Sequence, residues 1–233
     1  MSDSRIAITF ALPTESLDLR RRLREIRQDG KFITGKMGNR AITILHTGVG
    51  SKNCSERIEA LLHTGRPRLV ISSGFAGATN EGLRVGDLII AENFSDRKLI
   101  ETAEQTLGER KPRTVKVFTS ASIIDSAADR IEIARASSAE AIDMETGTIV
   151  SVCNSHGVPL LSLRAISGTP QQPFPAPPNV LFDLERQQTH YGRLLAYLLA
   201  HPGSIPPLIK FGREINRVRA KLTEAIIALV RVV

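Results

Sequence analysis

Short apolar segments alternate with segments of helical periodicity along most of this chain of 233 residues. Residues 5–10, 68–73 and 158–166 have the composition of buried strands. Residues 53–63 and 145–156 have the apolar spacing of helices. This alternation predicts an α/β fold with a mainly parallel twisted sheet and helices on both faces. In such sheets ligands bind beyond the carboxyl ends of the strands, so the turns after the strands are where a site is expected.

Two segments are assigned from weaker patterns. Leu19, Leu23 and Ile26 share one face of a helical pattern, which predicts a helix over residues 15–27. Residues 95–112 are polar and show little periodicity, so we expect a flexible loop or an insert there.

The C-terminal part is expected to be helical. Prolines are dense over residues 167–179, which excludes a helix or a central strand from that segment. Residues 184–200 and 211–230 then return to helical periodicity. We therefore expect one domain over residues 1–233, in which residues 184–233 form a helical extension packed on the rest.

Composition excludes several classes of protein. Cys54 and Cys153 have no Cys-x-x-Cys spacing, and we expect buried free thiols. Together with the lack of a secretory apolar region, this favours the cytoplasm. No stretch approaches the roughly 20 apolar residues that a membrane span needs. The histidines show no metal-ligand spacing, so we assign no metal and expect no cofactor.

The chain is basic, with a net charge of +7 and a pI of about 9.8. Lys210, Arg213, Arg217 and Lys221 add to this charge near the end of the chain, and the last three have helical spacing. A solvated helix face is the simpler interpretation, and we expect no nucleic-acid partner. A basic scaffold that binds nucleic acid is the alternative.

Residues capable of chemistry lie in turns that follow predicted strands. Glu15 follows the first strand and could activate water, or it could be an ordinary acid in the first turn of a helix. Glu145 opens a helix and could accept hydrogen bonds from a sugar diol, or it could serve the same helical role. Gly48-Val49-Gly50 and Gly74-Phe75-Ala76-Gly77 are small-residue turns, but neither matches a mononucleotide or dinucleotide fingerprint.

In this order the motifs resemble those of the purine nucleoside phosphorylase and nucleosidase superfamily, above all its methylthioadenosine/S-adenosylhomocysteine nucleosidase branch. The likeness covers residues 5–168 and implies a nucleoside phosphorylase-like fold. The motifs that carry it are Phe10-Ala11-Leu12-Pro13-Thr14-Glu15, Gly48-Val49-Gly50-Ser51-Lys52-Asn53, Ser73-Gly74-Phe75-Ala76-Gly77, Val85-Gly86-Asp87, Ala141-Ile142-Asp143-Met144-Glu145 and Arg164-Ala165-Ile166-Ser167.

The resemblance implies a role for each matching residue. Glu15 matches the carboxylate that positions the attacking water. Glu145 matches the acid that holds the ribose hydroxyls, and Met144 matches the residue under the sugar. The remaining substrate-binding positions line the base, sugar and water sites: Ile123, Ile124, Phe75, Ala76, Gly77, Ser167 and Gly168.

Gly168 departs from the family pattern. The family has an aspartate there that hydrogen-bonds the purine and helps to protonate it as it leaves. Losing a positioned general acid costs about 10²- to 10⁴-fold in rate. Asp183 or Glu185 could fold back and substitute. Otherwise the change indicates a different base, a different leaving group, or a protein that binds nucleosides without efficient turnover.

The resemblance favours hydrolysis over phosphorolysis. Ser72 stands where the phosphorylases carry an arginine, and a phosphate site without arginine is unattractive. A glutamate at position 15 would repel phosphate and suit water. We therefore predict an enzyme that cleaves the N-ribosidic bond of a purine nucleoside, of methylthioadenosine or adenosylhomocysteine type, by attack of water.

Three alternatives stay open at this point. The chain could be a phosphorylase, or a nucleoside-binding protein without activity. The C-terminal section is also similar to phosphorylase-like proteins associated with hopanoid biosynthesis, which implies an adenosyl-lipid substrate. The resemblance further implies a homodimer.

Overall fold

The computed structural model describes residues 5–172, 175–177, 180 and 197–233. These residues form a single α/β unit around one sheet. Its strands are β1 (Ile6–Phe10), β2 (Arg24–Asp29), β3 (Phe32–Met37), β4 (Arg40–His46), β5 (Leu69–Ala78), β6 (Leu88–Ala91), β7 (Arg113–Val115), β8 (Val117–Thr119), β9 (Ala141–Asp143) and β10 (Leu160–Gly168). Its α-helices are α1 (Leu17–Arg22), α2 (Ser51–Thr64), α3 (Arg97–Leu107), α4 (Ala127–Ser137), α5 (Thr146–Ser155) and α6 (Ile205–Val232).

The sheet is mixed and mostly parallel, as predicted. Its main path has the order β2-β3-β4-β1-β5-β10-β6-β7, and β9 joins it by pairing with the end of β5 while β8 pairs with β9. The central neighbours β4, β1, β5 and β10 all run parallel. Antiparallel pairs occur between β2 and β3, β3 and β4, β6 and β10, and β5 and β9.

Helices cover both faces of the sheet, which confirms the predicted layers. Ile6 and Ile8 of β1 point to one face, where they share a core cluster with Ile226 of α6. Ala7, between them, points to the other face and packs in a cluster with Ile58 of α2 and Cys153 of α5. This alternation follows from the two-residue period of a strand. It buries β1 on both sides.

The predicted helix over residues 15–27 is wrong beyond Arg22. The chain turns extended at Leu23 and continues as β2, which pairs antiparallel with β3. Ile26, assigned to the apolar face, is 42% exposed. Leu19 and Leu23 are buried, so the predicted apolar face is confirmed for these two residues. An exposed edge strand carries no apolar alternation, so its sequence gives no strand signal.

The loop or insert expected over residues 95–112 is also wrong. Residues Arg97–Leu107 form α3, which begins after Asp96. The Asp96 side chain caps the helix by accepting hydrogen bonds from the N–H groups of Lys98 and Leu99. Ala103 and Leu107 are fully buried in the core cluster that contains α6. Leu99 and Ile100 are partly buried and pack against the same cluster, so the helix has a short apolar face although most of its other positions are polar.

Two predicted turns are parts of longer strands. β5 runs on through Gly74 to Ala78, and β10 runs on to Gly168. At the other end of the chain, Pro206 and Pro207 lie in the first turn of α6, where proline costs little. Most of the predicted helix over residues 184–200, together with Asp183 and Glu185, lies outside the described residues. Within the described residues, no helix combines the length and apolarity needed to cross a membrane.

Candidate active site

A cavity of about 280 Å³ opens beyond the carboxyl ends of β1, β5 and β10 and beside β9. The segments that follow or end these strands form its walls, together with Val49 from the turn after β4 and Phe211 and Ile215 from α6. The fold thus brings together all the site residues named from the sequence. They are Glu15, Phe75, Ala76, Gly77, Ile123, Ile124, Met144, Glu145, Ser167 and Gly168.

Glu15 is a buried carboxylate held by backbone donors. A short 3₁₀ turn, Pro13–Ser16, follows β1 and directs the side chain inward, where it is 7% exposed. Its Oε2 accepts the Leu12 N–H at 2.9 Å and its Oε1 accepts the Phe75 N–H at 3.2 Å. Burial raises the pKa of Glu15, although these hydrogen bonds and the charge of Arg164 oppose the shift.

Gly74 makes room for this arrangement. Its φ of +141° disfavours any other residue. A Cβ atom at this position would lie 2.9 Å from Nη1 of Arg164 and 3.1 Å from Oε1 of Glu15. The glycine in β5 therefore lets a carboxylate from one strand end and a guanidinium from the neighbouring strand approach the same backbone.

Glu145 is the second buried carboxylate. It precedes α5 but makes no side-chain capping hydrogen bond, so the ordinary helix-cap interpretation fails. Asp143 supplies the capping hydrogen bond instead, because its carboxylate accepts the N–H of Thr146. The same carboxylate also accepts the hydroxyl of Thr119. Burial, joined by the neighbouring charges of Asp143 and Glu15, raises the pKa of Glu145 to about 8 against the lowering effect of Arg164.

Arg164, in β10, is the buried cation beside these carboxylates. It is 1% exposed, and its Nη2 donates to Oδ2 of Asp143 at 2.8 Å and to the hydroxyl of Ser72 at 3.1 Å. Its Nη1 lies 4.0 Å from Oε2 of Glu145. Burial is the main reason that both glutamates hold protons more tightly than usual, and for Glu145 the single guanidinium does not offset burial and the charges of Asp143 and Glu15. We call this group, with those three carboxylates, the acidic end of the cavity.

Arg130 is a site residue that the sequence did not reveal. It lies on α4, is 4% exposed and lines the cavity. Its Nε donates to the carbonyl of Ile124 at 2.9 Å and its Nη1 donates to the carbonyl of Ala78 at 3.2 Å. Burial lowers the pKa of Arg130 and the charge of Asp125 opposes that effect. The sequence does not indicate that this arginine is buried, because an arginine in a helix usually occupies the solvated face.

Arg130 lies with the residues expected to face the base. We call the wall formed by Ile123, Ile124, Arg130, Ser167 and Gly168 the arginine end of the cavity. At Gly168 the backbone leaves room for a side chain, since an added Cβ would meet only the carbonyl oxygen of Gln172, at 3.9 Å. Sterics therefore do not explain why a glycine stands there.

A group with metal-ligand chemistry lies elsewhere, on the surface of α2 and α5. Glu59 Oε2 is 2.7 Å from Nε2 of His156 and 3.7 Å from Nε2 of His63. The three ligand atoms lie within 4.8 Å of one another. Sequence spacing did not indicate this group because α2 and α5 meet only in the folded chain. None of these three residues lines the cavity.

The chain has relatives both in sequence and in fold. The chain is 27% identical to the 5′-methylthioadenosine/S-adenosylhomocysteine nucleosidase of Staphylococcus aureus (strain bovine RF122 / ET3-1) over 195 residues, which is 70% of this chain and 85% of that protein. The nucleosidase of the same name from Neisseria meningitidis, solved with methylthio-immucillin-A, superposes with a TM-score of 0.76 and 17% identity over 99% of this chain and 100% of that one.

A hydrolase of another name has the same fold. Native futalosine hydrolase of Helicobacter pylori strain 26695 superposes with a TM-score of 0.75 and 16% identity, over 99% of each chain. The family model described as the phosphorylase superfamily matches residues 5–97 and 92–200, which is most of the sequence. The chain therefore belongs to the phosphorylase superfamily.

Proposed function

We propose that this protein is a nucleosidase that cleaves the N-ribosidic bond of a purine nucleoside by attack of water. One observation carries the proposal: two buried carboxylates, Glu15 and Glu145, face a single cavity and share the charge of Arg164. The relatives named as methylthioadenosine/S-adenosylhomocysteine nucleosidases support the substrate class, a purine nucleoside with a 5′ substituent.

Glu15 would orient and deprotonate the attacking water. Two backbone N–H groups fix its carboxylate, one on each oxygen, so the base does not have to be reoriented during the reaction. Its raised pKa suits the role, because a general base works best when its pKa approaches the working pH. The water oxygen would bond to C1′ of the sugar, and the water proton would pass to Glu15.

Glu145 would hold the ribose. A carboxylate accepts hydrogen bonds from both hydroxyls of a diol, and Met144 beside it offers an apolar, polarisable wall to the ring. The transition state of glycosidic cleavage carries positive charge on the sugar. In its ionised form Glu145 would stabilise that charge from a buried position, where electrostatic effects are large.

The acidic end supports water as the nucleophile. Ser72, at the position of the phosphorylase arginine, is fully buried and is occupied with Arg164. Arg164 in turn is engaged by Asp143 and lies near Glu145, so its charge is already shared. A phosphate approaching C1′ from this side would meet the carboxylate of Glu15. Phosphorolysis is the alternative that the test below separates.

Release of free base from methylthioadenosine, with and without phosphate, tests the proposal. We expect release without phosphate and a rate that phosphate does not raise. Release that requires phosphate would assign a phosphorylase, and binding without release would assign an inactive nucleoside-binding protein. An adenosyl lipid in the same assay tests the alternative substrate.

Two further properties belong to this proposal. We propose a homodimer, which sedimentation of the purified protein would test, with a monomer contradicting it. We also propose a cytoplasmic enzyme that needs no cofactor, so activity should survive exhaustive dialysis against a chelator.

A further inference from the structure

Arg130 stands where the main cavity meets a second one. The second cavity, of about 180 Å³, shares with the first the side chains of Arg130, Ser167 and Phe211 and the backbone of Gly168. With the ribose at Glu145 and the water at Glu15, the base has to occupy the arginine end. Arg130 is therefore the charged side chain that a bound base would meet there.

We propose that Arg130 receives the departing base and selects 6-oxopurines, such as hypoxanthine, over 6-aminopurines. This inference rests on the proposed function. It concerns the base, whereas Glu15 and Glu145 concern the water and the sugar. It also gives a physical meaning to Gly168, because a guanidinium does a different task from the family carboxyl group at that end of the cavity.

The hydrogen-bonding capacity of Arg130 determines the preferred base. Arginine has five N–H donors and no acceptor. Its bonds to Ile124 and Ala78 use the N–H of Nε and one N–H of Nη1, which leaves the second N–H of Nη1 and both N–H groups of Nη2 as donors for a ligand. A 6-oxopurine presents two neighbouring acceptors, O6 and N7, the edge that arginine reads in guanine. A 6-aminopurine presents N7 beside an amino donor, and that amino group would face a cationic donor.

One backbone acceptor at this end is already used. The Ile124 carbonyl accepts from Nε of Arg130 at 2.9 Å, so an amino group of the base could bind it only through its second lone pair. Nη1 is fixed by Ala78, and Gly77 leaves space for it, since a Cβ there would lie 3.2 Å from that atom. The guanidinium is thus held in place before a ligand binds.

The charge of Arg130 would also serve the bond-breaking step. As the C1′–N9 bond breaks, its electron pair moves to the base, and a fixed cation stabilises that negative charge without transferring a proton. The water oxygen bonds to C1′, one water proton goes to Glu15, and the base anion takes up a proton from solvent after it leaves. The charges and atoms balance without an acid at position 168.

Inosine and adenosine, which differ in the base alone, test this assignment. We expect the wild-type kcat/KM to favour inosine by roughly 10- to 100-fold, the value of a good bidentate contact. Arg130→Gln should move the preference towards adenosine, because glutamine can pair with both N7 and the amino group. Arg130→Lys should keep part of the inosine preference. Arg135→Gln, an exposed position on the same helix, should leave the ratio unchanged.

The ratio of kcat/KM for inosine to kcat/KM for adenosine separates base selection by Arg130 from a structural role. A variant that is only destabilised loses both activities by the same factor. An adenosine preference in the wild type, or equal losses in Arg130→Gln, would overturn the assignment. If neither nucleoside is cleaved, calorimetry with the free bases still decides on Arg130, whereas release of base from methylthioadenosine tests the proposed function separately. Hypoxanthine should bind more tightly than adenine to the wild type, and Arg130→Gln should remove that difference. Equal affinities in the wild type would refute the inference.

Discussion

The two ends of the cavity differ in charge and in the kind of element that supplies it. The acidic end takes its residues from strand ends and the turns after them, with Glu15, Asp143 and Glu145 around Arg164. The arginine end takes its cation, Arg130, from the first turn of a helix. In the proposed reaction the sugar, which becomes positive, would lie at the acidic end, and the base, which becomes negative, would lie at the arginine end. The two ends would then place opposite charges where opposite charges develop.

Arg164 is the residue on which the acidic end depends most for stability. Arg164→Met would leave Asp143, Glu145 and Glu15 without their shared cation. Removing one partner from a buried charge network costs about 3–5 kcal/mol. We expect the free energy of unfolding to fall by about that amount in denaturant titration. The exposed Arg97, paired with Glu101 on α3, provides the control: Arg97→Met should change it by less than about 1 kcal/mol.

Glu145 separates sugar binding from base binding. Glu145→Ala removes the acceptor for the ribose hydroxyls, so the affinity for a nucleoside should fall roughly 10- to 100-fold, the value of charged hydrogen bonds. The affinity for the free base should change little, because the base contacts lie at the arginine end. Titration calorimetry with a nucleoside and its base measures both. Unchanged nucleoside affinity would show that Glu145 does not hold the sugar.

A substitution at Gly168 tests whether a general acid can be introduced at the arginine end of the cavity. The backbone there accommodates a Cβ. Gly168→Asp should raise the release of adenine from adenosine by about 10-fold, a part of what a general acid provides. Gly168→Ala is the matched control and should give no gain. If the aspartate variant folds, as judged by its thermal unfolding, and shows no gain, the true substrate needs no acid at this position.

The raised pKa of Glu145 predicts that stability depends on pH. The folded state keeps a proton on Glu145 up to a pKa of about 8, whereas the ordinary pKa of a glutamate is 4.5. Between those values the folded state binds more protons than the unfolded state, so the stability contributed by Glu145 is lost as pH rises. Glu145→Gln removes this dependence. We expect the stability of Glu145→Gln relative to the wild type to increase as the pH rises from 5 to 8.

Thermal unfolding of both proteins across this pH range measures the effect. Glu56→Gln on the exposed side of α2 should follow the wild type at every pH. A Glu145→Gln protein whose stability difference from the wild type does not grow with pH would mean that burial does not disfavour the Glu145 carboxylate.

The acidic end was accessible to sequence reasoning because it lies where strands stop. Apolar runs locate the strands, and the residues directly after them must meet at one sheet edge. Glu15 and Glu145 were placed at this edge in this way, and the family resemblance added their roles and that of Met144. Arg164 belongs to one of the sequence motifs. Its position beside the carboxylates is known only from its side-chain contacts, which a sequence pattern does not contain.

The arginine end was only partly accessible for the opposite reason. Arg130 lies on α4, whose alanines and isoleucines do not gather on one face, so the sequence indicates no buried face. Phe211 and Ile215 line the cavity from α6, a helix far along the chain from the other wall residues. The same limit explains the missed strand β2, whose residues are all exposed and so have no apolar pattern. Patterns reveal buried apolar faces and do not reveal buried charges or exposed edges.

Turnover and binding measured together on Glu15→Gln test the acidic end most directly. Glutamine keeps the shape of the side chain but cannot take a proton from water. We expect nucleoside binding to stay within a few-fold of the wild type and base release to fall by about 10³-fold or more, in the range ascribed to general base catalysis. The Glu56→Gln control should retain full activity. Undiminished base release by Glu15→Gln would contradict the assignment of Glu15 as the base that activates water.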